Sequence, residues 1–414
     1  MLILVTGATG YIASRLIPRL LERGCRVRAL ARDPRRLDGR GWSRFVEIFP
    51  GDVTDAASLA PALEGVHTAY YLIHNMSSGR GYTERELEGA RNFAAACEAA
   101  GVRHIIYLGG LADPEQRLAP HMRSRIETGR VLREGRVPVT EFRAGVIAGA
   151  GSISFEMIRF VVGLFPLIPG PLWLRNKSQP IAVQNVIDYL LAALDNPSGQ
   201  GQAFEIGGPR VATYGELMLR YARLCGLKRR LLLLPGLPVW FMAFGIGLVT
   251  PVPRRIAYAL VGGLSSDSLV LHPEALRVFP EVALVDFDSA ARAALDELHP
   301  SRVERVWTPG RRVGSLRHEG FFILHRAVPA GGEFRNDLQL PGWEIELRDS
   351  QRSLLHRSRP CSEEWIEQGV AGRDIVSTYF FAPRGLGGFL CWYLLHPFRV
   401  AFFRGLARRV QRIK

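Results

Sequence analysis

The chain has 414 residues, 47% apolar and 22% charged, a balance that excludes a disordered chain and suffices for two or three folded domains. Five scattered cysteines (Cys25, Cys97, Cys225, Cys361, Cys391) contain no C-x-x-C pair, which argues against a disulfide framework and a zinc site, so no metal is expected. The formal net charge is +14, with all but three of the 53 basic residues arginine, yet no nucleic-acid module or aromatic stacking motif accompanies it, and nucleic acid is not an expected partner. No signal-type segment precedes the first strand, and a cytoplasmic location is expected.

Met1-Leu-Ile-Leu-Val-Thr-Gly-Ala-Thr-Gly-Tyr-Ile-Ala13 reads as a buried strand, a glycine turn and the start of a helix. Gly7 permits the tight turn and Gly10 lets backbone N–H groups approach a diphosphate, whose charge the helix dipole favours. Further strands are predicted over 26–31, 45–49, 67–73, 103–108 and 138–143, and helices at about 10–23, 56–63, 82–99 and 119–134. This alternation means right-handed crossovers and a parallel sheet covered on both faces. Where an NAD site carries a carboxylate, at the end of the second strand, stand Ala31 and Arg32. A small residue followed by an arginine leaves room and a planar cation for a 2′-phosphate, so NADPH is expected over NADH, with Arg35 and Arg36 able to add to the site and Asp33 nearby. Asp52 and Val53, after the third strand, fit an adenine-edge contact; His74, after the fourth, fits the lining of the nicotinamide ribose.

After Gly149-Ala-Gly-Ser152 the chain turns to apolar helices broken by proline, at Phe155 to Trp173 and Leu231 to Pro253. The second run has 23 residues without a charge between Arg229-Arg230 and Arg254-Arg255. Pro235, Gly236 and Pro238 leave roughly a dozen uninterrupted residues, too few for a bilayer core of ~30 Å, so a buried or interfacial helix is expected. Glu156 and Arg159 are spaced for a local ion pair, and Gln179–Asp188 and Phe204–Pro209 each read as a strand and turn able to return to the main sheet. Beyond 300, antiparallel strands are predicted at Phe321–Val328, Trp343–Arg348, Ser353–Arg359 and Asp374–Phe381, then a helix from Leu386 to Ile413 interrupted at Pro397. Arg399 to Lys414 carries six basic residues and no acidic one, interleaved with Phe402, Phe403, Leu406 and Val410. That pattern predicts a basic amphipathic helix touching an anionic membrane peripherally, without spanning it. The expected fold is α/β: a Rossmann-type parallel sheet over 1–150, an apolar helical substrate lobe over 151–299, and an α+β domain over 300–414.

Thr6-Gly-Ala-Thr-Gly-Tyr-Ile-Ala13, Arg32, Gly51-Asp-Val53 and Tyr107-Leu-Gly-Gly-Leu111 together resemble the atypical extended short-chain dehydrogenase/reductases, close to the NmrA-like group, over about 1–295. His121-Met-Arg-Ser-Arg125, Gln179-Pro-Ile-Ala-Val183 and Glu205-Ile-Gly-Gly-Pro209 look like a bacterial subgroup with an added C-terminal domain. That domain, with Arg384-Gly-Leu-Gly-Gly-Phe-Leu-Cys-Trp-Tyr393 and His396-Pro-Phe398, is similar to helix-grip lipid-binding folds. The resemblance implies cofactor contacts from Thr6, Gly7, Thr9, Gly10, Tyr11, Ile12, Arg32, Asp52, Val53 and His74. The family's catalysis uses Tyr-x-x-x-Lys on the helix after the fifth strand and a serine at that strand's end. Here the strand ends in Gly109-Gly110 and the helix offers His121-x-x-x-Arg125. The one-turn spacing keeps both side chains toward the cofactor, His121 as general acid and Arg125 as a holder of ribose or phosphate, while Tyr107 packs in the sheet. The expected function is NADPH-dependent reduction of a lipophilic substrate near a membrane surface. The alternative is a non-catalytic NADP(H)-binding sensor or assembly factor.

Overall fold

A computed structural model of the chain describes residues 1–37, 40–74, 81–113, 115–116, 118–249, 254–300, 317–318, 321–329, 339–349, 352–371 and 374–412. The apolar opening forms β1 (Leu2–Val5), and α1 (Tyr11–Glu22) returns with Leu16, Ile17 and Leu20 buried at helical spacing. The chain continues through β2 (Arg26–Ala31), β3 (Glu47–Pro50), α2 (Ala56–Leu63), β4 (Thr68–Tyr71), α3 (Tyr82–Ala99), β5 (His104–Gly110), α4 (Pro120–Arg133) and β6 (Val139–Ala144). Each strand and helix expected in this part is present, shifted by a few residues at most.

The next part holds β7 (Ile147–Ala148), α5 (Ile153–Leu164), β8 (Leu167–Pro171), β9 (Lys177–Ser178), β10 (Ile181–Ala182), α6 (Val183–Asp195), β11 (Ala203–Ile206), β12 (Ala212–Thr213) and α7 (Tyr214–Leu224). It ends in β13 (Arg230–Leu234), α8 (Val239–Val249), α9 (Arg254–Gly263), α10 (Glu274–Val278) and α11 (Phe287–Asp296). Among the described residues, seven parallel strands make the main sheet in the order β3-β2-β1-β4-β5-β6-β11. The order reverses between β1 and β4, and that switch point opens a crevice at the carboxyl ends of the strands.

One expectation needs correction here. Within residues 151–299, β11 pairs with β6, and α6 packs Val186, Tyr189 and Leu190 into the core shared with α1 and β1. Of the two segments read as returning to the main sheet, only Phe204–Pro209 does so; Gln179–Asp188 makes the short β10, paired with β7, and the first turns of α6. The remaining helices, α5, α7, α8, α9 and α11, bury a separate apolar cluster around Phe155, Leu217, Tyr221 and Phe287.

The C-terminal part is an antiparallel sheet of β14 (Arg317–His318), β15 (Phe321–Pro329), β16 (Glu344–Arg348), β17 (Arg352–Arg359), β18 (Ser362–Ala371) and β19 (Asp374–Pro383). Its order is β14-β15-β19-β18-β17-β16, and α12 (Gly385–Arg412) lies against β15 and β19. β18 escapes sequence reading because Ser362, Glu364, Glu367 and Gln368 are buried along with Trp365 and Ile366, so neither face shows an apolar alternation. Buried Glu364 is held by Arg357, by Arg399 at 3.3 Å and by the Ser362 hydroxyl. Against expectation, α12 runs unbroken through Pro397, because Phe389 and Trp392 before the proline and Phe403 and Leu406 after it are all anchored in one buried cluster.

Part of the face of α12 read as amphipathic is packed on protein. Arg399 turns inward to Glu364 and Tyr379, and Phe403 and Leu406 are buried with Phe322, Phe381 and, from α5, Phe160 and Leu164. Burial of this kind is worth about 1.5–3 kcal/mol for each such side chain. Gly385–Leu406 is long and apolar enough to cross a membrane by composition, but one side of it is packed on protein. Lys414 and Ile413 lie outside the described residues.

His104 gives the first domain a test. It is buried beside Thr140, its Nε2 2.8 Å from the Thr140 hydroxyl, and burial, with the charge of His67 second, lowers its pKa from 6.5 to about 4. The unfolded chain takes up a proton below about pH 6.5, whereas the native state refuses it down to about 4, so stability should fall as pH drops through that window. One such histidine contributes up to about 1.4 kcal/mol per pH unit there. Chemical denaturation at pH 7, 6 and 5 measures the slope, which His104→Gln should reduce. An unchanged slope in the variant contradicts the assignment.

Candidate functional site

The glycine turn is shaped by what a side chain would strike. Gly7 has φ +65°, and a Cβ there would lie 2.6 Å from the Leu72 carbonyl oxygen at the end of β4. Its carbonyl accepts from the Gly10 N–H at 2.8 Å, and Gly10 caps α1 without a side-chain hydrogen bond. The first-turn N–H groups of α1 therefore remain open to an anion. Thr9, Gly10, Tyr11 and Ile12 line the cavity beside this turn. Thr6, expected among the cofactor contacts, instead ties β1 to β4: its hydroxyl donates to the Tyr70 carbonyl at 3.0 Å and accepts from the Leu72 N–H at 3.2 Å.

Arg32 is exposed at the cavity rim and makes no ion pair among the described residues, whereas Asp33 is claimed by Arg35 at 2.8 Å. Asp33 is thus paired with its neighbour, while Arg32 stays open at the rim. Arg40, which sequence reading missed, folds back from the loop after β2 to donate to the Ser14 hydroxyl and to the Thr9 carbonyl at 3.2 Å. Nothing local in the sequence shows that return. Asp52 and Val53 line the far end, with Asp52 Oδ1 accepting from the Thr54 N–H and hydroxyl at 3.0 Å each. A turn that admits no side chain, an open helix N-terminus and an arginine at the rim fit a dinucleotide phosphate.

At the other end stand His121 and Arg125 on α4, brought beside His74, which follows β4. His74 Nδ1 lies 2.9 Å from Glu86 on α3, and the Arg125 Nε donates to His74 Nε2 at 3.1 Å. Ser124 donates to the other oxygen of Glu86. Burial and the Arg125 charge lower the His74 pKa to about 4, outweighing Glu86, so the ring is neutral, donating from Nδ1 and accepting at Nε2. Burial alone would raise the Glu86 carboxyl, but the hydrogen bonds from His74 and Ser124 and the Arg125 charge leave it below its ordinary value and ionised. Glu86 and Ser124 were missed, although Ser124 sits within the His121-x-x-x-Arg125 motif.

His121 also titrates at about 4, lowered by burial first and then by Arg125 and His74. With its pKa held there the ring is neutral near pH 7 and offers an N–H. The missing strand-end serine has a steric cause. A Cβ at Gly110 would meet the Arg125 Cδ at 2.9 Å and the Met122 Cε at 2.8 Å, so the arginine stem fills that space. The Tyr107 hydroxyl donates to the Arg125 carbonyl at 3.0 Å, a structural use. Glu156 and Arg159 form the expected local pair at 2.6 Å, and Glu156 also accepts from the Gly151 N–H.

Both ends open into one cavity of about 460 Å³. Past His121 and Arg125 its walls become apolar: Met157, Val161, Ile168, Trp173, Met218, Met242, Ile246 and Leu260. Among the described residues no three His, Cys, Asp or Glu side chains group to hold a metal ion.

The NAD(P)H-binding family pattern matches residues 7–135. The chain is 32% identical over 236 residues to a (4-alkanoyl-5-oxo-2,5-dihydrofuran-3-yl)methyl phosphate reductase from Streptomyces griseus, covering 55% of this chain and 76% of that one. It is 24% identical over 250 residues to the photosystem II assembly factor Ycf39 of Cyanophora paradoxa, covering 57% and 72%. Solved structures sharing the fold include the Citrobacter sp. triphenylmethane reductase complexed with NADP(H), at TM-score 0.57 and 17% identity over 71% of this chain and 100% of that one. An NADPH-dependent quinone oxidoreductase from Escherichia coli complexed with NADPH aligns at TM-score 0.57 and 19% identity, covering 70% and 98%. The strand order, the side-chain-free turn and these relatives converge: the chain belongs to the NAD(P)H-binding atypical short-chain dehydrogenase/reductases, of NmrA-like type.

Proposed function

We propose that this chain is an NADPH-dependent reductase of a lipophilic substrate, working at an anionic membrane surface. The observation that carries the reading is the single cavity, lined at one end by the glycine turn and Arg32 and at the other by apolar side chains, with His121 and Arg125 at the junction. The apolar end favours a ligand without charges, because burying an unpaired polar group costs several kcal/mol. When bound, NADPH supplies a hydride from its nicotinamide ring. The chain's part is to hold the acceptor oxygen. His121, a neutral imidazole, would donate one N–H hydrogen bond to that oxygen and Arg125 would place a cation beside it, while water supplies the proton the oxygen takes up once the hydride has reached the carbon. Glu86, through His74, keeps the Arg125 guanidinium at the junction.

The exposed side of α12 supports the membrane part of the reading. Leu386, Leu390, Leu394, Phe398 and Phe402 recur every fourth residue and are all exposed, with Arg404 exposed beyond them.

A second reading, a non-catalytic NADP(H)-binding sensor or assembly factor, is favoured by the absence of the Tyr-x-x-x-Lys pair and by the likeness to Ycf39. Turnover separates the two. The reductase reading expects NADPH oxidation with at least one apolar carbonyl or quinone acceptor from an organic extract. Tight NADPH binding with no oxidation by any fraction favours the sensor.

Three outcomes are expected of variants. Arg32→Ala should weaken NADPH binding about ten- to a hundredfold and leave NADH affinity unchanged, as titration calorimetry reads it. Equal affinities of the unaltered protein for both cofactors would refute the role of Arg32. His121→Ala should cut turnover about a hundredfold while NADPH affinity holds, the loss typical of one polarising donor. Arg125→Ala should lower both. Since His121 titrates at about 4, the turnover profile should show no inflection near pH 6.5; an inflection there that His121→Ala abolishes would restore the protonated-acid role.

A further inference from the structure

We propose that α8 and α9 are the entry face, where an anionic bilayer meets the cavity and the substrate passes between them. The inference rests on the reading of the cavity as a site for an apolar substrate. One side of this helix pair is cavity wall: Met242 and Ile246 of α8 and Leu260 and Val261 of α9 line it. The other side is aromatic and open to solvent. Trp240 is 60% exposed, Phe241 50% and Tyr258 56%, and the Trp240 and Phe241 rings sit edge to face at 5.8 Å. The barrier between solvent and cavity is therefore one helix thick, about 10–12 Å with side chains.

The occupant follows from charge and composition. Between Glu216 and Asp267 the chain has no acidic residue, while Arg220, Arg223, Lys228, Arg229, Arg230, Arg254 and Arg255 fall in that interval and flank the charge-free run. Of these, Arg223, Lys228 and Arg230 are exposed. α8 itself has 11 residues, about 16 Å of helix, which is too short to span a bilayer core. A short helix pair with Trp240 on α8 and Tyr258 on α9 facing outward and cations at its flanks suits the interface, where aromatic rings settle at headgroup level and lysine and arginine meet anionic headgroups. A protein partner for this face would carry acidic groups around an apolar patch; an anionic bilayer supplies both together.

The test uses the full-length protein and three exposed substitutions, Trp240→Ser, Phe241→Ser and Tyr258→Ser, combined. The unaltered protein should float with vesicles of phosphatidylglycerol and phosphatidylcholine and remain in solution with phosphatidylcholine alone. The triple variant should lose vesicle binding about tenfold or more while NADPH affinity and melting temperature stay unchanged. A parallel variant, Leu394→Ser with Phe398→Ser on α12, separates the two surfaces. If it abolishes flotation and the triple variant floats as before, the entry face is wrong. Self-association lost in the triple variant, with no flotation of the unaltered protein, would make the face a contact between copies and overturn the proposal. If a turnover assay exists, the triple variant should slow reduction of a vesicle-embedded acceptor and spare a water-soluble one. Absence of any turnover strikes the reductase reading alone, since vesicle binding is read without it.

Discussion

Two glycines shape the cavity at the ends of β1 and β5, the strands on either side of β4. At Gly7, after β1, the turn presses against the Leu72 carbonyl that follows β4; at Gly110, ending β5, the backbone passes under the stem of Arg125. A methyl group at the first would fall inside the van der Waals distance of a backbone oxygen that cannot move without disturbing the sheet. A side chain at the second would crowd the Met122 and Arg125 stems, which would have to shift. The switch point of the sheet fixes where the crevice opens, and these approaches fix what stands in it.

Around Arg125 the electrostatics are internally consistent. A half-buried arginine is steadied by an anion within reach, and Glu86 supplies one through a neutral imidazole. Ionised Glu86 takes hydrogen bonds from His74 and Ser124, His74 gives its free lone pair to Arg125, and the resulting positive field helps keep His121 unprotonated. The lysine of the parent family holds a ribose and lowers a tyrosine pKa. The arginine here has no tyrosine to tune, because Tyr107 spends its hydroxyl on the main chain.

The Rossmann part was legible because its signals are local: alternating runs of known period, and glycines whose position after a strand implies an anion site. Glu86 and Arg40 were not, since each reaches the site through chain reversals that no spacing encodes. β18 was hidden by its buried Glu364, a carboxylate on an inward position made tenable by two arginines from other elements. The same arginine, Arg399, had suggested a membrane-facing charge; only the fold shows that its partner lies inside. The apolar stripe that remains on α12, and the aromatics of α8 and α9, are where the excess apolar content of the chain reaches solvent.

The central claim is that one cavity joins a nicotinamide site to an apolar site, so that a hydride crosses from one to the other. Loading the protein with NADPH deuterated at the transferable position, supplying an organic extract of its source cells, and analysing the products by mass spectrometry tests this directly. The account predicts deuterium on the carbon of one apolar product, absent when the cavity is narrowed by Met157→Trp. Deuterium retained wholly in the nicotinamide, with the cofactor bound throughout, would contradict it.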